Sequence, residues 1–169
     1  INIDLRSSET EMVSSDQSFA FKFFANVYSE ELADEDNSFM VSPLSLSMAL
    51  AMTMNGAEGE TKSVIQETLK LKGFTSDEIN NYYKKLKEAL LATDPSTRLS
   101  IANSIWTNHN VSIKDEFVRK NREFFNFSVQ SVNFGDSQTA GRINDWASTN
   151  TNGLIDKVID ATKPEDLMY

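Results

Sequence analysis

Side chains that usually carry chemistry are scarce in this chain: among its 169 residues there is one histidine, His109, and no cysteine. Without Cys there is no thiolate nucleophile, no disulfide and no Cys-based metal site. A single imidazole cannot build a multi-histidine metal centre, and any Ser-His-Asp arrangement would have to use His109. That residue sits between Asn108 and Asn110, a polar turn where an exposed loop histidine is expected, since general-base work needs a positioned partner. Carboxylate pairs such as Glu30-Glu31 and Asp34-Glu35-Asp36 read as solvated helix ends, and nothing favours a glycosidase-type pair. The six glycines are scattered at turn positions, with no Gly-rich phosphate loop, HExxH or GxSxG. The expectation is a protein that is not an enzyme, with no catalytic, cofactor-binding or metal-binding residues.

Charge narrows the partners. Sixteen Lys and Arg face 25 Asp and Glu, a formal charge of -9, so attraction to a nucleic-acid backbone or an anionic membrane is unfavourable overall. Lys84, Lys85 and Lys87, with Lys70 and Lys72 nearby, form the one basic cluster. It reads as the solubilising face of a helix; the alternative is a polyanion site, which would need several cations converging on one surface. No run approaches the ~18 apolar residues of a membrane span, and nothing resembles a signal peptide. The first residue is Ile1, not Met, which suggests that any export signal was removed or never included.

The hydrophobic fraction of 40%, with eleven Phe, supplies material for one globular core. Residues 1–14 are polar and aperiodic and read as an extended leading segment. Phe19, Phe23 and Val27 predict a helix from about Ser15 to Leu32, closed by the acidic stretch Ala33 to Ser38. Phe39-Met40-Val41 reads as a short strand entering the interior. Ser42 and Pro43 then suit a helix start, because the hydroxyl can cap and proline's fixed φ is already helical. The helix running to Met54 is apolar around its whole circumference, the pattern of a helix buried on all sides.

Val64, Ile65, Thr68 and Leu69 mark a short amphipathic helix, and the capping box Thr75-Ser76-Asp77-Glu78 opens another with Ile79, Tyr82, Tyr83, Leu86 and Leu90 on its stripe. Asp94-Pro95 breaks the chain. From Arg98 to Thr107 the period switches to two, predicting a strand in contact on both faces. A helix from about Lys114 to Phe125, a strand from Phe127 to Phe134, and a helix capped by Asp136 and ended by Thr151-Asn152-Gly153 follow. Leu154 to Ile159 makes an apolar turn, and Asp166-Leu167-Met168-Tyr169 looks like the start of a further strand.

The segment Phe39 to Met52, followed by Asn55-Gly56-Ala57, closely resembles the strand-to-helix-B segment of serpins. Ala102-Asn103-Ser104-Ile105-Trp106 resembles that family's second strand of sheet A, and Phe125 through Val132-Asn133-Phe134 its helix E running into the first strand. Ile143-Asn144-Asp145-Trp146 with Thr151-Asn152-Gly153-Leu154-Ile155 resembles helix F and its exit, although Leu154 stands where a Lys is common. The match in order and spacing runs from about Phe19 to Tyr169.

The resemblance implies an α+β serpin fold, incomplete, with helices A to F packed against strands 1, 2 and the start of strand 3 of sheet A. Residues 1–169 would be the amino-terminal portion of a single serpin domain, the carboxy-terminal half and reactive-centre loop being absent. It further implies protease inhibition by insertion of the cleaved loop into sheet A, the target being a serine or cysteine protease that meets the absent loop. Ser42, Pro43 and Ser45 would belong to the shutter beneath that sheet, and Ile143, Asn144 and Trp146 to helix F, which lies across it. The missing half or another chain would cover the open sheet edge. An extracellular, cell-surface or periplasmic setting goes with the resemblance, and a non-inhibitory serpin-fold carrier is the alternative function.

Overall fold

A computed structural model describes residues 3–31, 38–93, 96 and 99–169. The chain divides into two compact units, Ile1–Ala89 and Leu90–Tyr169.

In the first unit, helix α1 spans Ser7–Glu31, starting eight residues before the expected Ser15. Its start is a half capping box: the Glu9 carboxylate accepts the Arg6 N–H at 2.8 Å, satisfying a backbone donor that the helix itself leaves unpaired. Polar residues 7–14 therefore lie in the helix rather than in an extended lead. The acidic stretch at 32–37, with Asp34-Glu35-Asp36, lies outside the described residues. No strand forms at Phe39-Met40-Val41, and Met40 is 91% exposed. The run is apolar enough for a strand, but no described segment offers it a hydrogen-bonding ladder.

Helix α2, Pro43–Met54, begins where Ser42 and Pro43 place it. It buries Ser47, Met48, Ala51, Met52 and Met54, while Ser45, Ala49 and Thr53 are exposed. The expected burial on every side is thus met on one face: on the opposite side Ser45, Ala49 and Thr53 are exposed and Leu46 and Leu50 only partly buried. Helix α3, Gly59–Thr68, leads through Lys70 and Gly73, both at positive φ, to α4, Ser76–Leu91. The capping box at α4 forms as expected, with Glu78 accepting the Thr75 N–H at 2.8 Å and its own N–H donating to the Thr75 hydroxyl at 3.2 Å. The backbone bond from Thr75, then that from its hydroxyl, holds the Glu78 carboxyl below its ordinary value. Leu69, Leu71, Ile79, Tyr82 and Tyr83 join Met12 and the α2 methionines in the interior of this unit.

In the second unit, β1, Ser104–Asn108, pairs in parallel with β2, Ser128–Val132, placing Trp106 opposite Gln130. A parallel pair needs a crossover, and helix α5, Asp115–Phe125, lies in that connection, closed by Asn126 in the left-handed region at φ 49°. β1 is shorter than the alternation from Leu99 suggested, because β2 reaches only as far as the Asn103 carbonyl, which accepts the Ser128 N–H at 3.1 Å. Arg98 and Asp94-Pro95 fall outside the described residues.

Helix α6, Thr139–Asn150, has Gln138 rather than Asp136 at its N-cap. Asp136 instead shapes the preceding turn, its side chain accepting the Gln138 N–H at 3.0 Å and its carbonyl the Thr139 N–H at 3.0 Å. Beyond α6, Leu154 to Ile159 runs as an irregular strap in which Leu154 is 86% exposed.

Trp106, Val132, Phe134 and Ile143 form a core joining the sheet to α6, with Trp146 and Ile159 packed on it. Phe134 lies at its centre and is 1% exposed. Phe134→Ala is expected to lower stability by about 3–5 kcal/mol in denaturant unfolding, the usual range for a buried aromatic truncated to Ala. A loss below about 1 kcal/mol would show that the ring contributes little.

Candidate functional site

Two sets of expected residues fall in separate units, Ser42, Pro43 and Ser45 in the first and Ile143, Asn144 and Trp146 in the second. Ser42 ends the extended segment at φ -116° and ψ 90°, and its hydroxyl accepts the Ser45 N–H at 3.4 Å. The Ser42 and Ser45 hydroxyls meet at 2.8 Å. Both are exposed. A hydroxyl pair of this kind can exchange partners at small cost, since each group is both donor and acceptor.

One turn further along α2, buried Ser47 points to a polar centre linking three helices. Asp16 of α1 accepts hydroxyl hydrogen bonds from Tyr82 at 2.7 Å and Tyr83 at 2.8 Å, both on α4, and another from Ser47. Burial pushes the Asp16 carboxyl above its ordinary value against the pull of those three donors. Burial, reinforced by the Asp16 charge, pushes both tyrosine hydroxyls far upward, so they remain donors. Beside them Asn55 and Asn80 exchange amide hydrogen bonds at 3.1 and 2.9 Å. None of the three donors to Asp16 was singled out for this role from the sequence. The legible signal was a lone acidic residue just before the Phe19 stripe.

In the lysine cluster, Lys85 is committed to the Glu9 carboxylate at 2.8 Å and to the Asp4 carbonyl, Lys87 is held below its ordinary value by burial, and Lys84 is partly buried. The hydrogen bond from Lys85, then that from the Arg6 backbone, holds Glu9 below its ordinary value.

In the second unit, Ile143 is buried and Trp146 partly buried against the sheet. Asn144 faces the strap: its amide donates to the Ile159 carbonyl at 2.9 Å, and its side-chain oxygen accepts the Val158 and Ile159 N–H groups at 2.8 and 3.1 Å. Two further ties were not foreseen. Asn108 donates to the Pro164 and Asp166 carbonyls at 2.9 and 3.2 Å, and the Thr162 hydroxyl donates to the Phe134 carbonyl at 2.8 Å. They bring the chain end alongside β1, where Trp106 and Tyr169 exchange two backbone hydrogen bonds of 2.9 Å and Asn108 N–H donates to the Leu167 carbonyl at 3.0 Å. The bridge Thr107–Met168 is antiparallel, so the sheet runs β2, β1 and the start of a third strand. His109 is an exposed turn residue whose N–H continues the ladder to Val132.

A family model described as serpin (serine protease inhibitor) matches residues 14–169. The chain belongs to the serpin family. It is 29% identical to human neuroserpin over 133 residues, 78% of this chain and 32% of that protein. The structure of a thermophilic serpin, tengpin, in the latent state is similar at a TM-score of 0.81 and 29% identity, over 99% of this chain and 43% of that one. Human thyroxine-binding globulin shares the fold at a TM-score of 0.82 and 24% identity, covering 96% of this chain and 44% of its own. The chain thus spans about a third of the length of the curated relatives it matches. Its fold is a partial serpin fold, in which the six helices among the described residues follow the expected order A to F. The family is one of protease inhibitors, not enzymes.

Two outcomes follow for the first unit. Ser42→Ala is expected to cost about 1 kcal/mol in equilibrium unfolding, the usual worth of a hydroxyl N-cap; no change would exclude the cap. Asp16 has a raised carboxyl, so its contribution to stability is complete below its unfolded value and lost as pH rises through the folded one. Wild type should therefore lose stability relative to Asp16→Asn as pH is raised from about 4, the ordinary aspartate range, towards neutrality. Denaturation midpoints that stay parallel across that range would contradict the burial argument.

Proposed function

We propose that residues 1–169 form the amino-terminal portion of a single serpin domain whose whole acts as a protease inhibitor by inserting a cleaved reactive loop into sheet A. This part supplies scaffold, shutter and helix F; the loop that meets a serine or cysteine protease belongs to the rest of the domain. The observation that carries the reading is the extending sheet: β1 is paired on both edges, by β2 and by 167–169, and the outer edge of 167–169 is where an inserted strand's side of the sheet would continue. An edge of this kind is the substrate of strand addition.

In this reading Ser42, Pro43 and Ser45 act as the shutter, where paired small hydroxyls change partners as strands separate. Ile143 and Trp146 seat helix F on the sheet, and Asn144 ties it to the strap. An extracellular or cell-surface place of action belongs to the same reading. In this reading Lys84, Lys85 and Lys87 serve as a solubilising face of α4, with Lys85 paired to Glu9.

The full domain, incubated with a panel of serine and cysteine proteases, is expected to form a covalent complex that survives denaturing electrophoresis with at least one of them. Cleavage of the loop without any such complex would assign the carrier function instead. Ser45→Phe in the full domain is expected to speed polymerisation by opening the sheet prematurely. Polymerisation and insertion rates equal to wild type would remove the shutter role.

A further inference from the structure

The chain contains two Asn-Gly pairs, Asn55-Gly56 and Asn152-Gly153, and the fold treats them differently. This pair is chemically special because glycine has no side chain to hinder attack of its backbone nitrogen on the asparagine carboxamide. At Asn55 the carboxamide is clamped by two hydrogen bonds to Asn80, which is fully buried. At Asn152 the side chain is exposed and makes one long contact, 3.4 Å, to the Ser100 hydroxyl. Asn152 and Gly153 both sit at positive φ, 55° and 75°, and the space where a Cβ of Gly153 would stand has no atom within 4 Å. The two glycine N–H groups are otherwise alike, each donating to one helix carbonyl: Gly56 to Thr53 at 3.0 Å, Gly153 to Ser148 at 2.8 Å. The cost of freeing the attacking nitrogen is therefore similar, and the side-chain clamp decides between them.

We infer that Asn152, at the exit of α6, is a site of spontaneous deamidation that ages the protein, while Asn55 is protected. The Gly153 nitrogen, released from Ser148, loses its proton and bonds to Cγ of Asn152; the Cγ–Nδ2 bond breaks and ammonia leaves. Water then opens the five-membered imide at either carbonyl, giving aspartate or iso-aspartate. Either product places a negative charge just beyond the C-terminus of α6, the end that the helix dipole already makes negative. Iso-aspartate also inserts a methylene into the backbone where the left-handed turn returns the Gly153 N–H to Ser148. The last turn of α6 loosens as a result.

The test is timed incubation of the intact protein at mildly alkaline pH, followed by peptide mapping. Asn152 should convert roughly tenfold or more faster than Asn55, the factor set by a clamp of two hydrogen bonds. Asn103-Ser104, whose amide nitrogen is buried at the start of β1, should also lag behind Asn152. Hydrogen exchange of residues 147–151 should quicken in the aged wild type and not in Asn152→Gln incubated alongside. Equal conversion at Asn55 and Asn152, no conversion at Asn152, or unchanged exchange in the converted protein would overturn the inference.

Discussion

Everything in the second unit rests on the backbone ladder of β1. A parallel pair of five-residue strands is marginal by itself, because parallel ladders are slightly weaker per residue and one edge of β1 would remain unpaired. The reciprocal bonds between Trp106 and Tyr169 complete that edge. With both edges occupied, Ile105, Trp106, Thr107 and Asn108 are buried on both faces, as expected of a central strand. β1 therefore needs strands on each side, and α6 finds a fixed surface to pack on through Ile143.

The segment returning from α6 is held in a different way. Leu154, Ile155 and Val158 are exposed; Ile159 packs on the core, and the other ties of residues 154–166 are polar, through Asn144, Asn108 and Thr162. Net hydrogen bonds contribute about 1 kcal/mol each. A segment held so is fixed more by a few directional hydrogen bonds than by buried apolar surface. The first unit shows the opposite economy: its polar centre around Asp16 is enclosed by three helices and tied by aromatic hydroxyls that stay protonated.

Much of the order of elements was legible because the local signals were self-contained. Ser42-Pro43 marked the start of α2, Thr75 to Glu78 that of α4, and Thr151-Asn152-Gly153 the end of α6. What stayed hidden depended on partners distant in sequence. The alternation from Leu99 could not reveal that β2 stops pairing at Asn103, and Phe39-Met40-Val41 carried strand composition without a ladder to join. The start of α1 was missed for a different reason, since Glu9 reaching back to Arg6 is a polar signal without apolar period. Of the site residues, Asn144 was placed by family pattern alone; its three bonds to the strap appear only when residues 158–159 return to it.

The central claim, that 167–169 is the start of a third strand completing β1, is tested most directly by amide hydrogen exchange resolved at single residues in the intact protein. The N–H groups of Trp106, Asn108 and Tyr169 donate across this edge, so they should exchange far more slowly than the amides of the exposed strap residues Asp156 and Lys157. Exchange of those three at the rate of the strap would mean that the edge is open and that β1 is not a central strand.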